Sequence, residues 1–165
     1  MAFKYEFVAQ KRVGGTVVHQ IKALINIPTR VRAGTIGGWI ESEQNCPNSS
    51  SDSSWVANNA IVMGKVRLVN SLVENNAVVD KNASITNSTV SGNATVTDNA
   101  TVVKAIIKDH CKLVDNCTVQ NTHLYGKVFV KGNAQLVGKT TIAVSSRTGI
   151  VFGQNTVITA GNIET

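Results

Sequence analysis

Residues 76–102 read Asn76-Ala-Val-Val-Asp-Lys-Asn-Ala-Ser-Ile-Thr-Asn-Ser-Thr-Val-Ser-Gly-Asn-Ala-Thr-Val-Thr-Asp-Asn-Ala-Thr-Val102. The aliphatic residues Val79, Ile85, Val90, Val96 and Val102 stand six, five, six and six apart. Two residues before each is a small one: Ala77, Ala83, Ser88, Ala94 and Ala100. One further back is always Asn, at 76, 82, 87, 93 and 99. A fixed short period is the mark of a repeat architecture, in which each unit buries its apolar face only against its neighbours.

Extended outward, the aliphatic positions run Val62, Leu68, Val73; Val79, Ile85, Val90; Val96, Val102, Ile107; Leu113, Val119, Leu124; Val130, Leu136. Each recurs after 17 residues, so one coil is 6 + 6 + 5: three sides, one corner shortened. The small positions obey the same rule, with Cys111 and Cys117 standing where Ala stands elsewhere. Those two thiols are therefore expected to be buried structural residues and not a metal pair. Asn tolerates the left-handed backbone region, which assigns the Asn before each small residue to the corners. The rule breaks after Leu136, where Ile142 follows at six, and Phe152, Ile158 and Ile163 resume a six-five spacing. This predicts five to six coils of 17–18 residues, a rod on the order of 25–30 Å long at ~4.8 Å per stacked strand.

Upstream, residues 3–9 alternate apolar and polar, a strand with Phe3, Tyr5 and Phe7 on one face, expected to pack on the first coil. Gly14-Gly15 supplies the positive φ of a two-residue hairpin turn. A second strand follows over about residues 16–25, closed by Pro28. The hairpin lies outside the repeat and reads as its cap. Gly34, Gly37 and Gly38 around Trp39 suggest a tight bend with close backbone approach. Residues 45–54, polar and of low complexity, read as the most mobile loop. The domains are thus 1–54 (hairpin cap, Gly-rich bend and polar loop) and 55–165 (repeat), one compact unit overall.

Composition agrees with short β-branched strands and tight corners: of 165 residues, aromatics are 5% and Pro occurs twice. Absent a leader pattern, a long apolar run or a disulfide framework in the three cysteines, a cytoplasmic protein away from the membrane is the expectation. Net charge is +6, and residues 1–40 carry six basic side chains against Glu6 alone, so +5 lies in the first quarter. Such asymmetry can mark an acidic partner. Lys11, Arg12, Arg30 and Arg32, with Trp39 and Trp55, are the candidate partner-binding residues. Nucleic acid would need exposed aromatics interleaved with that charge and is the weaker alternative.

Asn-Ala-x-Val repeated every six residues over at least 55–142 resembles the hexapeptide-repeat proteins, which implies a left-handed parallel β-helix. Lys-Tyr-Glu-Phe, Ile-Lys-Ala-Leu, Gly-Gly-Trp-Ile-Glu-Ser-Glu and Trp55-Val56 resemble a narrower group of bacterial and prophage hexapeptide proteins. Members of that group are often labelled transferases or left without a function. The resemblance implies trimeric packing along the walls, and for an acyltransferase a His base at a subunit boundary, taking acetyl-CoA or another acyl-CoA. The candidates for that base are His110, at a corner that is Asn in earlier coils, and His123, pointing outward. Both occupy ordinary repeat positions, and no loop is inserted between coils to form a pocket. Three convergent His ligands for zinc are lacking, so no metal and no cofactor is expected.

The favoured reading is an all-β, non-enzymatic interaction protein of phage origin that self-associates as a dimer or trimer and binds a host protein. Its self-association candidates are Ile158 and Ile163 in the last coil, and Val78 and Phe129 on one wall. The alternative from a different class is the acyl-CoA-dependent acyltransferase with His110 or His123.

Overall fold

The six-six-five spacing closes into a three-walled coil. In the computed structural model, which describes residues 3–145 and 147–165, all secondary structure is β. Each wall is a parallel ladder whose rungs come from successive turns. The first wall carries the outward row Trp39, Ile61, Val78, Thr95, Lys112, Phe129 and Val151, seven rungs and so about six turns. The second stacks Arg67, Ser84, Thr101, Thr118, Gln135 and Val157. The third stacks Trp55, Leu72, Thr89, Ile106, His123, Thr141 and Asn162. Turning one residue inward on each rung gives the core: the aliphatic positions from Val62 to Leu136 are all fully buried, as are Ile40, Val56 and Ile142. The chain is a parallel β-helix, with an apolar column continuous from coil to coil.

The corners differ from expectation. The Asn before each small residue in the six-residue sides is not left-handed; its predecessor is, as at Asn75, Lys81, Gly92, Asp98, Asp109 and Asp115. Only the shortened corner follows the expected placement, with Asn70, Asn87, Lys104 and Asn121 at positive φ. The conserved geometry at the other Asn positions has a different cause. Their side-chain amides stack into two ladders, one coil apart: Asn59 donates to Asn76 (3.3 Å) and Asn76 to Asn93 (3.3 Å). The second runs Asn82 to Asn99 (3.0 Å), Asn99 to Asn116 (2.9 Å) and Asn116 to Asn133 (3.4 Å). An amide offers donor and acceptor at once, so it can pair with an identical residue above and below.

A third ladder is internal. At the shortened corner, Ser54 Oγ accepts the Ser71 N–H, Ser71 Oγ that of Ser88, and Ser88 Oγ that of Ala105 (3.2, 3.2 and 3.0 Å). Cutting a corner by one residue leaves a backbone N–H without a strand partner, and a buried hydroxyl receives it.

At the N-terminal end, β1 (Tyr5–Val13) and β2 (Thr16–Ala23) form the hairpin, and β2 pairs antiparallel with β3 (Ile36–Ile40), the first rung of the first wall. Of the three aromatics on the expected inner face, only Tyr5 is buried; Phe3 and Phe7 are exposed. Gly37 and Gly38 lie inside β3, not in a bend. Close approach is nonetheless their role: a Cβ on Gly37 would stand 2.6 Å from the Val56 carbonyl and 2.7 Å from the Trp55 ring.

The polar stretch 45–54 is likewise built in and is not a free loop. Asn45 is fully buried, accepting from the N–H groups of Glu41 and Ser42 and donating to the Gly64 and Val66 carbonyls. Asp52 pairs with fully buried Lys4 at 3.2 Å. Burial would raise the Asp52 carboxyl, but the N–H groups of Asn70 and Ser54 and the Lys4 ammonium hold it below its ordinary value. The stability it contributes is therefore present at neutral pH and lost as pH falls through that lowered value.

The three cysteines are free and buried. Cys111 and Cys117 hold small inward positions, and Cys46 is the inward residue six after Ile40. Burial pushes the Cys111 thiol up to about 11, and those of Cys46 and Cys117 to about 12. All three should resist a water-soluble disulfide reagent at neutral pH until the protein is unfolded. Above about 9.0 the unfolded thiols ionise while the folded ones do not, so stability should fall as pH rises toward about 11. A pH series of urea midpoints checks this; a flat alkaline limb would contradict the burial of these groups.

A cleft where the repeat breaks

The 17-residue register holds from Val62 to Leu136 and then slips by one. In the pairing of the Thr118–Gly126 and Gln135–Val144 strands, Gln120 opposes Val137 but Thr122 opposes Thr140. The extra residue is accommodated at Gly138, at φ +105°, packed on the Thr159 carbonyl so closely that a Cβ would collide with it. Gly138→Ala should cost about 2–3 kcal/mol, from strained backbone and overpacking together. Thermal unfolding measures that, and an unchanged Tm would count against the bulge as described.

Thr140 takes the buried hydroxyl position equivalent to Thr122; the residue is 3% exposed, and its Oγ1 has no hydrogen-bond partner among the described residues. Thr122, one coil earlier, donates to the Leu136 carbonyl at 3.2 Å. An unpaired buried hydroxyl costs roughly 1–3 kcal/mol, so it marks a departure from the repeat's own economy. The slip also opens a cleft of about 440 Å³ on the outside of that corner, lined by Lys104, Asn121, His123, Lys139, Thr140, Thr141 and Asn162. Lys104, Asn121 and Lys139 follow one corner in successive coils, which sets the backbones of the two lysines on the order of 10 Å apart along the stack. His123 projects from the third wall two residues past that corner, half-buried, edge-on to Tyr125 with ring centroids 6.2 Å apart.

His110 is placed differently. It is exposed at the end of the first Asn ladder, with Nε2 3.4 Å from the Asn93 amide. The neighbouring concavity, lined by Asp109, Tyr125, Ser145 and Glu164, is acidic. Phe129 pairs with Val151, 22 residues on, so five residues beyond the 17-residue step are inserted before the last coil. The expectation of no inserted loop is thereby corrected: extra residues follow Ile142 because the last rung pairs five residues late.

The other candidates are dispersed. Lys11 rests its ammonium 4.0 Å above the Trp39 ring, Arg12 is exposed on the hairpin, and Arg30 donates to the Asn70 carbonyl at 3.0 Å. Arg32 lies exposed in the loop after β2. Trp55 is 1% exposed and packs edge-on to Tyr5, so as a partner-binding residue it is corrected: it is core, because the cap covers the first rung of the third wall. Val78 and Phe129 are half-buried on the first wall, the Phe129 ring lying under the ammonium groups of Lys112 and Lys131 (5.7 and 5.6 Å). Ile158 and Ile163 turn inward and pack half-buried against the core's last coil. By their spacing alone Lys104 and Lys139 read as ordinary solvated residues, and nothing in the sequence joins them or Thr140 to His123. The signal in the sequence is the slip after Leu136, which shifts the coil that pairs with the His123 strand.

Coils of six-residue sides with small-x-aliphatic interiors, stacked in parallel, define a hexapeptide-repeat β-helix. The family described as GlmU-like, C-terminal hexapeptide matches residues 39–124, and the chain belongs to it. No curated protein matches the chain.

Proposed function

We propose that the chain is an acyltransferase working on an acyl thioester of a phosphate-bearing carrier such as coenzyme A, at the His123 cleft. The observation that carries this reading is that His123, Lys104 and Lys139 line one cleft beside the slip of the repeat at Gly138. Local rules are broken where function asks for it. Lys104 and Lys139 supply two cations to phosphate oxygens, which they attract as point charges. His123 takes the proton of an acceptor hydroxyl or amine as that atom attacks the thioester carbonyl. The C–S bond breaks, and the thiol leaves with a proton in return. Membership of the family supports the class of reaction.

The test is a thermal-shift titration with acetyl-CoA. The wild-type protein should be stabilised, and Lys104→Gln with Lys139→Gln should weaken binding by about tenfold per lost charge-assisted contact. No stabilisation of the wild-type protein would overturn the proposal.

A second reading, an interaction protein that self-associates, is favoured by the first wall. Trp39, Ile61, Val78, Phe129 and Val151 share one outward row there. Sedimentation velocity decides it: a dimer or trimer that Val78→Glu with Phe129→Glu converts to monomer supports it, and a wild-type monomer removes it.

A further inference from the structure

The cap ends in an open strand. β1 is the outermost strand of its sheet, with only β2 beside it. Seven of its nine residues are exposed, so the hairpin stands clear of the coil along most of its length. Pairing of Val13 with Thr16 across the two-residue turn, and of Lys11 with Val18, commits the N–H and C=O of those residues to β2. The alternate residues Gln10 and Arg12 therefore direct their backbone groups to the open side, and beyond the bulge after Phe7 so do Phe7 and Tyr5. At Tyr5 the open side is already taken. The Asn48 side chain accepts the Tyr5 N–H at 2.9 Å and donates to its carbonyl at 3.2 Å, as a neighbouring strand would. The protein thus supplies a strand mimic at one end of this edge and stops there.

What surrounds the remaining edge is apolar and basic. Phe7 and Val8 are 42% and 43% exposed, Phe7 stacked on His19 at 4.8 Å. The one acid of β1, Glu6, is paired with Lys22 at 3.3 Å. Arg12 has no ion pair among the described residues. Residues 1–40 carry +5. Edges of this kind are a liability unless something covers them.

We infer that the Phe7–Arg12 edge of β1 is a docking site for an extended, acidic segment of a partner protein, added as a strand next to β1. Backbone pairing at Phe7, Gln10 and Arg12 gives the affinity, and acidic side chains facing Arg12 give the selectivity. A second copy of the same cap is a poor occupant, since it would set the exposed Lys11 and Arg12 of each copy near those of the other.

A dye-labelled peptide alternating Val and Glu, and its Lys-for-Glu counterpart, are titrated with the full chain by fluorescence anisotropy. The acidic peptide should bind, more weakly at high salt, and the basic one should not. Gln10→Pro removes an outward N–H and leaves the ladder to β2 intact, as edge strands allow. It should weaken binding by about tenfold with Tm unchanged. Arg12→Glu, which needs no backbone change, should reverse the preference between the peptides. Equal binding of both peptides, no binding of either, or full binding by Arg12→Glu would overturn the inference. So would a peptide-free dimer in sedimentation that Gln10→Pro dissolves, since the occupant would then be a second copy.

Discussion

Replacing His123 with alanine should lower the kcat of acyl transfer by about 10²–10⁴-fold, the usual contribution of a positioned general base. The fold should hardly notice. The imidazole projects outward from the third wall, with its ring edge-on to Tyr125 at 6.2 Å. Tm should therefore stay within the small range of surface substitutions, ~0.5 kcal/mol. Binding of acetyl-CoA should persist, because Lys104 and Lys139 are intact, so the loss appears in kcat and not in KM. His110→Ala is the matched control. It ends an Asn ladder on an exposed corner, and its removal should leave the rate unchanged. Steady-state kinetics of both variants with a panel of hydroxyl and amine acceptors decides the matter. Activity kept by His123→Ala and lost by His110→Ala would move the site to the acidic concavity beside Asp109.

The largest effect on stability should come from Trp55→Ala, about 3–5 kcal/mol. Trp55 heads the chain's fully buried large side chains and sits where the cap meets the first coil. Its ring faces Tyr5 edge-on at 6.4 Å, and the β3 backbone at Gly37 lies against it. The Tyr5 hydroxyl in turn donates to the Cys46 carbonyl at 2.5 Å. Removing the indole leaves a cavity walled by backbone, which cannot collapse inward as side chains can. Urea unfolding followed by far-UV circular dichroism measures the loss. An unchanged m-value would mean that cap and coils still unfold together; a reduced one would mean that the cap has come away first. A loss below ~1 kcal/mol would contradict the packing described.

The repeat was legible because stacking forces every coil to present the same residue types at the same places. Val79, Val96 and Leu113 are inward for one reason, and any one of them predicts the next. The corners were half legible. Asn76 and Asn82 were read by their backbone tolerance, but the left-handed residue is their predecessor, and the Asn is kept for an amide that bonds its equivalents 17 residues away. Short-range propensity cannot show a contact made at that distance. The 45–54 stretch is illegible for the same reason: Asn45, Asn48 and Asp52 have the composition of loop residues, and each closes bonds to groups far along the chain.

By itself, the sequence determined the coil, its 17-residue period, its inward set and the burial of Cys111 and Cys117, since a parallel stack makes local spacing and core position the same fact. It also placed a basic hairpin cap ahead of the coil. Only the tertiary structure decided what the irregular residues do. A single extra residue near Gly138 shifts the register of the next coil, and Lys104, His123 and Lys139, which are 19 and 16 residues apart, line one cleft beside it. Likewise, only the pairing order left β1 at an edge. Periodicity fixes what repeats; which groups meet at a break depends on how neighbouring coils shift to absorb it.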